Sequence, residues 1–179
     1  MSHELENLAY PIGHFHAPAI IDQSVLEQWI AQIASFPELL AQELIGLTEQ
    51  DFKRKHRPDG WTIRQLVHHC ADSHMNSFIR FKLALTEESP SIKPYEEHLW
   101  AELPDVLQLD VSSSLAILSG LHKRWEILLK NLNPRDFDRS FIHPATGKII
   151  DLKTNTGIYA WHGQHHLAHI KNAKSMQLF

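Results

Sequence analysis

The segment Trp161-His162-Gly163-Gln164-His165-His166-Leu167-Ala168-His169 packs four imidazoles into one short stretch of chain. In a helix, at about 100° per residue, all four fall on one face. Histidines four apart lie one above the other across a turn, so two ring nitrogens can reach one divalent ion. Both His162/His166 and His165/His169 meet that spacing. A tetrahedral ion with ligands at about 2.0–2.1 Å takes two of them readily from one helix and needs a third from elsewhere. His68, His69 and His74 form a second concentration of imidazoles, with His74 on an apolar stripe and His69 in line with Ser73, Asn76 and Arg80. Spacing does not decide between the pairs or among these partners. Three neutral imidazoles would leave the ion a position open to a further ligand, as in catalytic rather than structural zinc. No Glu follows a candidate ligand in the His-Glu-x-x-His manner, which separates the cluster from the zinc peptidases of that signature.

Four helices are needed to position these rings. From Asp22 the apolar residues Val25, Trp29, Ile33, Phe36, Leu40, Leu44 and Leu47 recur mostly at intervals of three or four, with Asp22 or Ser24 as the cap. Pro37 predicts a kink or a restart in that helix. Arg57-Pro58-Asp59-Gly60 reads as a turn, followed by a second helix from about Thr62 to Glu88 through Ile63, Leu66, Val67, Cys70, Ala71, Phe78 and Phe81. Residues 90–111, with three prolines, predict an ordered crossover anchored by Tyr95 and Trp100. Ser112 to Asn131 forms a third helix through Leu115, Leu118, Leu121, Trp125 and Leu128. Pro144 and Gly147 between two short β-prone runs predict a small hairpin over Phe141–Leu152, an appendage to the bundle. Thr154 or Asn155 then caps a fourth helix carrying the four-imidazole face. Four long helices imply an all-α bundle.

Composition narrows the function classes. The chain has 179 residues, 43% of them hydrophobic, enough for one core. Seventeen basic against twenty-one acidic residues give a net charge of -4 without a basic block, which argues against nucleic acid and anionic membrane as partners. No apolar run approaches the ~20 residues that cross a bilayer, and the expected location is the cytoplasm. The single cysteine, Cys70, follows a candidate ligand but lies on the apolar stripe and reads as core. Asp72 could support His69, and Asn76 with Arg80 could orient an anionic group. Trp61, Trp125 and Trp161 read as packing residues.

The sequence resembles the YfiT-like members of the DinB superfamily. The resemblance runs through Tyr10-Pro11-Ile12-Gly13, Gly60-Trp61-Thr62-Ile63-Arg64-Gln65, His68-His69-Cys70-Ala71-Asp72-Ser73-His74-Met75-Asn76 and Arg80-Phe81-Lys82-Leu83-Ala84-Leu85-Thr86-Glu87. It continues through Lys93-Pro94-Tyr95, Trp100-Ala101-Glu102-Leu103, His143-Pro144 and Tyr159-Ala160-Trp161-His162 to His166-Leu167-Ala168-His169-Ile170. It implies one domain over residues 1–179, with 1–20 as an N-terminal arm, folded as a four-helix bundle with a long crossover and working as a homodimer. Mapped residue by residue, it implies a metal site of His69, His162 and His166, with zinc as the expected ion and nickel as the alternative. The implied activity is that of a metal-dependent hydrolase using a water at that site on a small-molecule substrate. The alternative it carries is an S-transferase that passes a low-molecular-weight thiol of the bacillithiol type to electrophiles; a third reading, which spacing leaves open, is a non-catalytic bundle stabilised by its metal.

Overall fold

Polar residues at the helix starts satisfy N–H groups that would otherwise lack partners. In the computed structural model, which describes residues 3–175, the order is α1 (His3–Ala9), α2 (Gln23–Leu44), α3 (Ile63–Thr86), α4 (Glu97–Trp100), α5 (Pro104–Gln108), α6 (Ser112–Lys130), α7 (Pro134–Phe137), β1 (Ser140–His143), β2 (Lys148–Asp151) and α8 (Leu152–Ser175). Asp22 caps α2 by accepting from the Val25 N–H at 3.0 Å. Thr62 and Gln65 form a reciprocal capping box at the start of α3. Each such cap stabilises its helix by about 1 kcal/mol. At α8 the capping side chain is Asp151, whose Oδ1 accepts from the Thr154 N–H at 2.7 Å, rather than Thr154 or Asn155. Asn155 is instead buried and donates to the Ser77 hydroxyl at 3.1 Å, tying α8 to α3.

The long helices α2, α3, α6 and α8 make the bundle. Both α2 and α3 pack against α6 and α8, which puts α2 and α3 on its diagonal. The crossover contains the short helices α4 and α5, and Tyr95 stacks on Trp100 within it with ring centroids 4.6 Å apart. Its first residues dock on the hairpin, where Ile142 donates to the Pro90 carbonyl and Ile92 donates back to Ile142. The hairpin is more than an appendage, because Phe141 of β1 is fully buried in the bundle.

Apolar burial falls into two clusters. One holds Leu26, Ile33, Phe81, Trp125 and Leu152, and the other holds Phe36, Leu40, Leu66, Leu118 and Ile170. On α3, α6 and α8 the stretch between the buried members of the two clusters carries histidine: His74, His122, and His162 to His166. The helix α2 runs unbroken through Pro37. Proline has no N–H, so the Ile33 carbonyl one turn earlier lacks its helical donor. The ring Nδ1 of His122 lies 2.6 Å from that carbonyl.

Candidate metal centre

His69 projects from α3 and His162 and His166 from α8, and their ring nitrogens can all lie within 4.8 Å of one another. The Nε2 atoms of His69 and His162 are 3.3 Å apart. Two ligands at about 2.0–2.1 Å from a tetrahedral ion are separated by about 3.4 Å, so this edge already has the length that zinc requires. The ring centroids of His69 and His166 are 4.9 Å apart, and those of His162 and His166 are 4.5 Å apart.

The other histidines are distributed around this set. His68, beside His69 in sequence, turns away and places Nδ1 2.8 Å from the Ser114 hydroxyl. His74 is completely buried, with Nε2 3.0 Å from Nδ1 of His162 and Nδ1 2.8 Å from Nε2 of His122. His165, His166 and His169 form a second group of close ring nitrogens, all from α8. His169 places Nε2 3.1 Å from the Ala9 carbonyl and Nδ1 3.3 Å from Nδ1 of His166. Both four-spaced pairs are therefore assembled: His162/His166 meets His69 of α3, while His165/His169 meets His56, whose ring lies 4.2 Å from that of His169.

Burial sets the protonation of these rings. It pulls His69 down to about 4, and His162 and His166 lie well below the ordinary 6.5, again chiefly through desolvation. Neutral imidazoles are the form that offers a lone pair to a metal. Burial, reinforced by Asp105, pushes the Asp72 carboxyl up to about 6. The Cys70 thiol is pushed up by burial too, the behaviour of a core residue. Asn76 gives its amide to the Asp72 backbone carbonyl at 2.9 Å, within its own helix.

A cavity of about 240 Å³ adjoins the cluster, lined among others by Tyr10, His56, Trp61, His98, His165 and His166. Trp61 places its ring 4.6 Å from that of His69, and His98 of α4 lies 5.5 Å beyond, so the crossover forms part of the wall. Trp161 stacks on His165 at 4.4 Å and donates to the Gly13 carbonyl, holding the N-terminal arm against α8. Trp125 is core, as sequence suggested. A larger groove of about 890 Å³ between α2, α6 and α7 contains none of the histidines. Sequence reasoning passed over Trp61 as a wall residue and did not consider His122. The signal for His122 was present: it shares a helical stripe with Leu118, Trp125 and Leu129, where a polar ring must find a partner.

A sequence model of the DinB superfamily matches residues 24–170. The chain is 49% identical over 164 residues to a protein of Oceanobacillus iheyensis, covering 92% of this chain and 94% of that one. It is 48% identical over 164 residues to YfiT of Bacillus subtilis, covering 92% of each. Both carry the provisional name of metal-dependent hydrolase. The solved structure of YfiT, described as a probable metal-dependent hydrolase with an unusual four-helix bundle topology, superposes with a TM-score of 0.91 at 47% identity, over 93% of this chain and 95% of that one. The mycothiol-dependent maleylpyruvate isomerase shares the fold at a TM-score of 0.63 and 15% identity, over 81% of this chain and 60% of that one. By the matched model and the near-complete alignment with these relatives, the chain belongs to the DinB superfamily.

Proposed function

We propose that this protein is a metal-dependent hydrolase of small molecules whose ion is held by His69, His162 and His166. The observation that carries the reading is the convergence of three imidazoles, His69 and His166 buried and His162 partly buried, two of them with Nε2 atoms 3.3 Å apart, beside a cavity of about 240 Å³. When bound, a divalent ion supplies Lewis acidity and lowers the pKa of water in its shell toward ~7. The protein's part is to present lone pairs rather than N–H groups, which burial secures by disfavouring the charged rings. Trp61 restricts water on the His69 side, and the cavity limits the substrate to a small molecule. Zinc suits three imidazoles with an open position, and nickel accepts the same ligands. Residues 1–179 are taken as one domain, acting as a homodimer in the cytoplasm. Among the described residues no helix is long and apolar enough to cross a membrane.

A second reading is thiol transfer to an electrophile at the same open position. It is favoured by the lack of a Glu beside any proposed ligand, since a thiolate nucleophile needs no general base in the attack itself. One experiment separates the two. Zinc-loaded protein is incubated with esters, amides and electrophiles, with and without bacillithiol or a similar thiol. Turnover without thiol supports hydrolysis, whereas consumption only with thiol replaces that reading by transfer. The ligand set is tested by His69→Ala, His162→Ala and His166→Ala, each expected to abolish stoichiometric zinc binding, while His165→Ala retains it. Undiminished binding in the first three would overturn the site.

A further inference from the structure

We propose that His122 and His74 are positioning residues that hold His162 in its Nδ1–H tautomer, and that His169 does the same for His166. The inference rests on His69, His162 and His166 being the ligand set, and it concerns how two of those rings are aimed.

The direction of each hydrogen bond follows from its first member. A carbonyl oxygen can only accept, so the 2.6 Å contact with the Ile33 carbonyl puts the hydrogen of His122 on Nδ1. Its Nε2 is then a lone pair and accepts from Nδ1–H of His74 at 2.8 Å. That leaves Nε2 of His74 bare, to accept from Nδ1–H of His162 at 3.0 Å. The remaining nitrogen of His162 is Nε2, a lone pair facing His69. The other arm is shorter. The Ala9 carbonyl accepts from Nε2–H of His169 at 3.1 Å, so Nδ1 of His169 is bare and accepts from Nδ1–H of His166 at 3.3 Å. Nε2 of His166 is again the free lone pair.

Reversing any one contact would set two hydrogens or two lone pairs face to face. In this interior, where His74 is 0% exposed and His122 is 1%, water is not at hand to relieve the mismatch. Packing fixes the rings as well. Phe36 lies 5.0 Å from His74 and 5.6 Å from His122, and Tyr159 meets the edge of His74 at 5.2 Å. Pro37 explains why the longer arm starts where it does, since it is the residue that leaves the Ile33 carbonyl free for a side chain. Hydrogen-bond partners of this kind orient metal-ligating histidines and select the nitrogen that binds.

The test begins with nitrogen-15 histidine correlation spectra of the metal-free wild type, which report the protonated nitrogen of each ring. The expected pattern is Nδ1–H at His122, His74, His162 and His166, and Nε2–H at His169. His122→Phe removes the anchor and is expected to free the His162 tautomer and weaken zinc binding by about 10–100-fold, whereas His122→Gln, which can donate and accept at the same place, should stay within about threefold of the wild type. Zinc affinity is read by chelator competition and folding by circular dichroism. Zinc binding by a wild type in which His162 carries its hydrogen on Nε2 would overturn the positioning role alone. The expected tautomers with no zinc binding would overturn the ligand set, and the positioning role with it. If His122→Phe does not fold, the wild-type spectra and His122→Gln still decide the matter.

Discussion

Phe81 and His74 are both fully buried on α3, two turns apart, yet they depend on their surroundings in different ways. Phe81 sits among Trp125 and Leu152 and needs neighbours of the right volume. His74 needs a hydrogen on one side and a lone pair on the other. The same contrast holds for the whole molecule: two apolar clusters bury the bundle's hydrocarbon, and the histidine layer between them is held by hydrogen bonds from ring to ring. An apolar cluster tolerates changes of shape better than the layer tolerates changes of protonation.

The largest way to test that contrast is pH. Burial depresses His69, His122 and His165 to about 4 and His169 to about 3, against an ordinary value of 6.5, while His74, His162 and His166 lie well below it. Unfolded rings take up protons near pH 6.5 and the folded rings do not, so the native state loses stability as pH falls from 6.5 towards 4. Each proton contributes about 1.4 kcal/mol per pH unit over that window. Asp72, raised to about 6 from 3.8, has the opposite sign and offsets about one of them. Urea unfolding of metal-free protein across the window should show a net uptake of more than one proton. A flat profile down to pH 5 would mean that the layer is not dry.

Next in size is a cavity in an apolar cluster. Phe81→Ala should lower unfolding stability by about 3–5 kcal/mol with the pH slope unchanged, because no titrating partner is lost. A changed slope would show that the clusters and the layer are not separable. The smallest effect is expected at Gly163, where an added Cβ would lie 2.8 Å from the Phe36 ring. Overpacking of about 1–3 kcal/mol is opposed by the roughly 1 kcal/mol that Ala gains in a helix, so Gly163→Ala should lose about 1 kcal/mol net. Because Phe36 packs on His74 and His122, the ring signals of both should shift even though neither is altered. Unmoved signals would mean that the layer has slack.

Much of the fold was legible because periodicity is local. The stripe from Ile63 to Phe81 gave α3 to within two residues, and Asp22, one of two candidate caps with Ser24, marked the start of α2 by its chemistry, whereas the capping box of Thr62 and Gln65 was not read. Asp151 was missed as a cap because it also ends β2, and a strand residue does not advertise a helix. The histidine face of α8 was visible, but not the choice of ring pair, because spacing along one helix says nothing of the helix opposite. His122 lay furthest from view. Its meaning depends on a carbonyl of α2, freed by a proline, and on a ring of α3, three elements that only packing brings together.

Pro37 bears on how this protein could be engineered. A design guided by helix propensity would replace it early, since it is an interior proline in a 22-residue helix. The replacement would give the Ile33 carbonyl a main-chain donor, in competition with His122. A more heat-resistant bundle with a poorer grip on its ion is the outcome to expect, and sequence-guided stabilisation of such chains is better directed at exposed positions far from the middle of α2.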